Sequence, residues 1–270
     1  YGGIRVRVDT RDQHRFDGQL LRGFGLRDVG DGRFVSTKAV NLSGIHVTRT
    51  VNVREDANWG RWLDTFTNTT GRPLTIEVAF GGQTGYGASG TTASHIVGTS
   101  SGDATVTAGD TWAATASGTA AGQTTPGPSA TVVGMFDRTG NWLRDTFTRP
   151  MGTEGHAANF PAYVNTLTIA PGHSASLLHY VVVGRPVTQE SAQAELDAVS
   201  ALASSLSADP DTGGLTRQEI CSVVNLDLGT PVACHGRGAT RVKQPKAPAE
   251  PPAVTTSRYD VVDKTIQALQ

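Results

Sequence analysis

Lysine is nearly missing from the body of this chain. Of 23 Lys and Arg residues only four are lysines, Lys38, Lys243, Lys246 and Lys264, so everything up to Gly236 carries one. A mechanism that needs a lysine base has a single candidate there. Charge of either sign is thin: 17% of residues are charged, the net charge is −1 and the isoelectric point is near 6.7. No overall field recruits nucleic acid or an anionic membrane, and both are set aside as partners. No run of about 18 apolar residues occurs, which leaves no segment that reads as a spanning helix. The two cysteines form no CxxC or Cys/His metal spacing, and no metal or other cofactor is expected. The start, Tyr1-Gly2-Gly3, has neither an initiator Met nor a signal peptide and reads as processed.

What is present points to β structure. Thirty-two glycines and 37% hydrophobic residues in 270 suit a Gly/Thr/Ala-rich sandwich better than a helical bundle. Ile4 to Val8 alternates strictly, with its arginines on one face. Phe34-Val35, Ala39 to Leu42 and Ile45 to Val53 give further strand signals. The clearest stretch is Asn58 to Gly82. Trp59, Trp62, Leu63 and Phe66 crowd its first arm, and Leu74, Ile76, Val78 and Phe80 alternate along the second. Asn68 to Pro73 between them has turn chemistry, so the stretch is expected to be a hairpin. A second hairpin is expected from Leu167-Thr168-Ile169, the turn Ala170-Pro171-Gly172, and Ala175 to Val183. Short strands are read at His95-Ile96-Val97, Thr105-Val106-Thr107, Thr111-Trp112-Ala113, Ala130 to Phe136 and Trp142 to Phe147, the last two joined by a turn at Asp137 to Asn141.

After Pro186 the period changes. Ala192, Leu196, Val199, Leu202, Ala203 and Leu206 fall at helical spacing behind a capping Thr188, and Thr216 with Glu219 makes a capping box for a second, short helix. Cys221 and Cys234 bracket the next stretch. A local disulfide, worth about 3 kcal/mol on the chain-entropy argument, is the economical reading and suits a secreted protein; two buried thiols are the alternative. His235 to Thr256, with PKAPAEPP inside it, reads as an extended linker.

No motif assigns chemistry to the body. No GxSxG elbow stands behind the serines, with Gly87-Ala88-Ser89-Gly90 the nearest approach. The Gly81 to Gly90 loop has no Gly-Lys-Ser/Thr after it, which excludes a phosphate loop. His179 lies in an apolar strand and reads as a hydrogen-bonded core histidine, while His14, His156 and His173 show no metal spacing. Asp209, Asp211 and Glu219 faintly resemble a calcium loop, but their spacing fits a helix-terminating turn better. Asp64, Glu77 and the first-strand arginines can pair across strands as a solvated face. A sugar-stacking rim of Trp59, Tyr86 and Trp112 is the one binding surface the residues suggest, with Trp62 equally a core residue.

Beyond the linker, Tyr259, Asp260, Val261, Val262, Lys264, Thr265, Ile266, Leu269 and Gln270 stand in SRYDVVDKTIQALQ. This stretch resembles the start of the catalytic domain of the amidase signature family, whose first helix opens Tyr-Asp-Val/Leu-Val-Glu-Lys-Ser/Thr-Ile-x-x-Leu-Gln. The resemblance implies a secreted hydrolase of amide C–N bonds with a Ser–Ser–Lys triad in an α/β domain. That Gly/Ser-rich segment is missing here, Lys38 has no such partner, and no catalytic residue carries over.

The expected architecture is mainly β. Residues 1–188 form an antiparallel β-sandwich and 189–235 a C-terminal helical extension pinned by Cys221 and Cys234. Residues 236–256 are a linker, and 257–270 the first helix of an amidase-like domain, which is the expected partner on the same or a separate polypeptide. The chain itself is read as a non-catalytic accessory part of that hydrolase, or alternatively as a free-standing carbohydrate- or cell-wall-binding module.

Overall fold

A computed structural model describes residues 1–8, 17–84, 94–117, 130–143, 145–151, 159–184, 189–229, 234 and 239–241. They form two antiparallel sheets packed face to face, with helices on one outer face. The first sheet contains β1 (Gly3–Val8), β2 (Asp17–Leu20), β8 (Leu74–Gly81), β12 (Arg138–Asn141) and β13 (Pro161–Ile169) in the order β12-β13-β8-β1-β2. The second contains β3 (Leu26–Asp28), β4 (Arg33–Ser36), β6 (Ile45–Arg54), β7 (Trp59–Asn68), β9 (Ser94–Thr99), β10 (Trp112–Ser117), β11 (Ala130–Val133) and β14 (Ser174–Val183). Its order is β3-β4-β6-β7-β14-β11-β10-β9, with β5 (Val40–Leu42) also on β6. The antiparallel β-sandwich expected from the composition is therefore what the chain forms.

Alternation builds the core. Ile4 and Val6 of β1, Ile76 and Phe80 of β8 and Leu167 of β13 face Ile45, Phe66 and Leu177 of the second sheet, all within one buried cluster. Each such side chain contributes roughly 1.5–3 kcal/mol by leaving water. The opposite face of the second sheet is also apolar. There α1 (Ala192–Ala208) lays Leu196, Val199, Ala203 and Leu206 onto Leu63, Leu178, Tyr180 and Val182. The helix begins behind Ser191; Thr188, its expected cap, lies outside the described residues. The short α2 (Arg217–Ser222) opens on the expected capping box of Thr216 and Glu219, and Cys221 is bonded to Cys234 with the Cα atoms 5.4 Å apart.

Three expectations are corrected. Neither expected hairpin is one: β7 pairs with β6 and β14, whereas β8 pairs with β1 and β13. The turn at Asn68 to Pro73 carries the chain from one sheet to the other, and the turn at Ala170 to Gly172 does the same between β13 and β14. The two crossings dock side by side. Asn68 donates its side-chain amide to the Ile169 carbonyl at 2.9 Å, and its backbone carbonyl accepts from Gly172 at 2.9 Å. The second correction inverts a strand and its turn. Arg138–Asn141, expected to turn, is the edge strand β12, and of Trp142 to Phe147, expected to be a strand, the described residues 142–143 and 145–147 lie in a loop. Likewise Thr105 to Thr107 lies in a loop. Third, the stretch read as linker, residues 236–256, contains Ala239–Arg241, which forms β15 on the edge of β13 opposite Leu167 to Ile169. The exposed edge of β13 has backbone groups to satisfy there, and three residues without Pro can satisfy them.

Candidate functional site

Among the described residues the outer face of the first sheet, unlike that of the second, carries no helix. Here the alternation of β1 puts Arg5 and Arg7 outward, and β8 contributes Glu77 from the neighbouring strand, with Arg7 and Glu77 as direct partners in the register. Arg7 donates from Nε to Glu77 at 2.6 Å and also through Nη2. Arg138 of β12 donates to the other Glu77 oxygen at 2.6 Å and to the Phe147 carbonyl at 3.0 Å. One carboxylate thus stands between two guanidinium groups.

The loop after β12, described at residues 142–143 and 145–149, folds across this face. It is closed by the Asn141 amide donating to the Arg149 carbonyl at 3.1 Å and by amides of Thr148 and Arg149 donating to the Asp145 carbonyl. Its two aromatic rings lie on the sheet because glycines make room. A Cβ on Gly3 would stand 2.9 Å from Trp142, and one on Gly18, where φ is +76°, 2.5 Å from Phe147. Trp142 backs the Arg5 guanidinium at 4.9 Å and Phe147 backs Arg7 at 5.2 Å, contacts worth about 0.5–1 kcal/mol each at partly exposed sites.

Between the loop and β1 opens a cleft of about 300 Å³, lined among others by Arg5, Arg7, Asp145, Thr146, Phe147 and Thr148. This is the low end of the roughly 300–1,000 Å³ range of small-molecule sites. Within it Arg5 differs from its neighbours. It donates from Nη1 to the Gly18 carbonyl at 3.0 Å, its buried Nε has no partner, and no carboxylate among the described residues is paired with it. Burial alone holds its guanidinium below the usual arginine value. Both cleft threonines spend their hydroxyl protons on backbone, Thr146 on the Trp142 carbonyl and Thr148 on that of Asp145. Neither is set up as a nucleophile.

The other candidates fall elsewhere. Trp59 is buried against the Tyr180 ring, with centroids 5.5 Å apart, and Trp112 is half-buried against the same cluster. Both belong to the side of the second sheet that α1 covers, so they form no open rim. Tyr86 lies outside the described residues, as do Ser89, His14, His156 and the tail from 257 to 270. Trp62 faces between the sheets and meets Phe80 edge-on at 5.9 Å.

Asp64 does not pair with the first strand. It is fully buried and held bidentately by Arg49 at 2.7 and 2.8 Å, while Arg49 also donates to the Gly2 carbonyl at 2.7 Å. His179 is a core histidine as expected, stacked on Phe80 at 4.2 Å, but neither ring nitrogen has a hydrogen-bond partner. Burial, reinforced by the Arg49 charge, pushes its pKa down to about 3. It stays neutral and serves as a packed ring.

The Asp209–Glu219 stretch is a latch, not an ion site. Arg61, only 1% exposed, donates to the Asp211 carbonyl and carboxylate and to the Gly213 carbonyl, and Tyr180 adds a hydrogen bond to the Asp211 carbonyl at 2.7 Å. Glu219 is spent on its capping box. No group of three His, Cys, Asp or Glu residues that could hold a metal occurs among the described residues. A hydroxyl chain from Thr65 through Ser176 to Ser222 ends on the Glu219 carbonyl and includes no base.

The arginine cleft escaped the sequence because its residues come from β1, β8, β12 and a loop. The alternating arginines of β1 were the only local sign of it. No protein-family model matches the chain, and no curated protein matches it. Among solved structures it is similar to a polysaccharide lyase at 16% identity and a TM-score of 0.43, over 74% of this chain and 28% of that one. It is also similar to a Klebsiella pneumoniae protein named as an aldose 1-epimerase, at 11% identity and a TM-score of 0.31, over 64% of this chain and 54% of that one. The chain therefore spans about a quarter to a half of these proteins, and likenesses this loose carry no argument about chemistry.

Proposed function

We propose that the chain is a non-catalytic β-sandwich binding module that takes a carbohydrate in the cleft on the outer face of the first sheet. The observation that carries this reading is the cleft itself. It is concave, held open by a pinned loop, and lined by guanidinium and hydroxyl groups that can bond ring and substituent oxygens, while neither of its hydroxyls is activated. Titration of the purified chain against a panel of oligosaccharides tests it. Saturable binding that is weakened by filling the cleft with Thr146→Trp is expected, and failure to bind any saccharide removes the reading.

A second reading concerns the protein that uses the module. The residues Tyr259 to Gln270 favour an accessory role in a secreted amidase-signature hydrolase, where the sandwich would hold substrate or steady the catalytic domain. The Cys221–Cys234 disulfide suits an oxidising compartment. On this reading the chain alone turns over no amide or ester. Amide hydrolysis by the purified chain, abolished by replacing one of its own serines, would contradict it.

A further inference from the structure

We propose that the cleft selects acidic saccharides, with the Arg5 guanidinium receiving the carboxylate of a uronic acid unit. The inference rests on the carbohydrate-binding reading and adds to it the charge of the ligand.

Arg5 and Arg7 line the cleft, and Arg138 stands beside Arg7 on the same carboxylate. Glu77 is shared by Arg7 and Arg138, and Asp145 at the rim is paired with Arg149 at 2.8 Å. Among the described residues Arg5 is left with a positive charge and no anion, and its side chain makes one hydrogen bond, from Nη1 to the Gly18 carbonyl. The Trp142 ring beneath it and the Gly18 carbonyl beside it fix the plane of the guanidinium. A planar, oriented fork whose charge is partly desolvated matches a carboxylate, which accepts two parallel N–H bonds.

The site also discriminates among anions. Asp145, ion-paired with Arg149, lies in the cleft wall, and what remains of its field disfavours a dianion more than a monoanion. A phosphate would therefore be poorly served where a carboxylate is not. The hydroxyls of Thr146 and Thr148 already donate inward, so they face a ligand as acceptors and suit the hydroxyl groups of a sugar ring. Carboxylate at one end and hydroxyls at the other describe a uronate.

The experiment is calorimetric titration of the whole chain with hexagalacturonate and hexamannuronate, with their methyl esters, and with inorganic phosphate. At least one acid form is expected to bind at least tenfold more tightly than its ester and than phosphate. Arg5→Gln should lower that affinity about tenfold, and Arg5→Lys, which keeps the charge but loses the fork, should recover only part of it. Unchanged thermal midpoints show that the variants are folded; if either unfolds, the ester comparison on the unaltered chain decides alone. Equal binding of acid and ester overturns the carboxylate assignment and leaves the carbohydrate reading in place. Phosphate binding as tight as uronate reduces the cleft to a general anion site and overturns it too. No binding of any of these sugars, acid or ester, overturns the uronate assignment, and the broader panel then decides the carbohydrate reading separately.

Discussion

Arginine meets carboxylate in two settings in this protein, once between the sheets and once on an outer face. Arg49 and Asp64 are sealed: the carboxylate is fully buried and held by two bonds, and the guanidinium has a third partner in the Gly2 carbonyl. On the outer face Glu77 is shared between Arg7 and Arg138, while Arg5 beside them has no anion among the described residues. The inner set is closed and balanced one to one. The outer set is open and short of negative charge. The difference separates a device of the fold from a surface that can accept something, although both use the same two residue types.

The largest consequence lies in the sealed pair. Asp64→Ala leaves the Arg49 guanidinium buried with one carbonyl for company, and is expected to destabilise the fold by about 3–5 kcal/mol. Urea denaturation measures this. A loss no greater than that of an outer-face substitution would erase the distinction between the two settings.

His179 sharpens it from the side of pH. Its folded pKa is depressed from 6.5 to about 3, so as pH falls the unfolded chain takes up a proton first. The penalty is absent above pH 6.5 and grows by about 1.4 kcal/mol per pH unit toward pH 3. His179→Leu should therefore flatten the acid side of the stability profile, with unaltered and variant chains diverging by roughly 2–3 kcal/mol at pH 4.5 relative to neutrality. Parallel profiles would mean that the ring is solvated or partnered on the way down.

Arg61 lies between the two extremes, sealed by burial yet bonded mainly to carbonyls of the loop after α1. Arg61→Met keeps the packing and drops those bonds. A cost of about 2 kcal/mol is expected, together with faster amide exchange at Gly213, which loses its latch.

How much of this was legible in the sequence follows from what alternation encodes. Period two tells which residues of a strand share a face, and the inward set Ile4, Val6, Leu74, Ile76 and Phe66 is buried accordingly. It does not tell which strand lies alongside. Asn58 to Gly82 has the same pattern whether its arms pair with each other or face each other across the core, and the chain takes the second course. The same blindness hid the cleft. Arg5 and Arg7 were visible as an outward face, but their meeting with Arg138 depends on a strand that reads as a turn, and the rings behind them come from a loop that reads as a strand. Local cues succeeded where the contacts are local: the helix face at Leu196 to Leu206, the Thr216–Glu219 capping box and the Cys221–Cys234 bond.

The smallest effect on stability belongs to Glu77, and it is the most informative about the cleft. Arg7 is 37% exposed at its side chain, so its bond to Glu77 is screened by water and salt. Glu77→Gln keeps an acceptor between the two arginines, and the expected cost is about 1 kcal/mol or less. The charge of the cleft nevertheless becomes more positive by one unit, and Arg7 is released from an ionic partner a short distance from Arg5. If the outer face is an anion-receiving surface, uronate affinity should rise a few-fold in this variant while stability barely changes, and the gain should shrink as salt is added. If Glu77 instead only holds the strands together, affinity stays flat. A loss of binding would mean that Glu77 orients Arg7 as a ligand-contacting group, which would place two arginines, and not Arg5 alone, at the carboxylate.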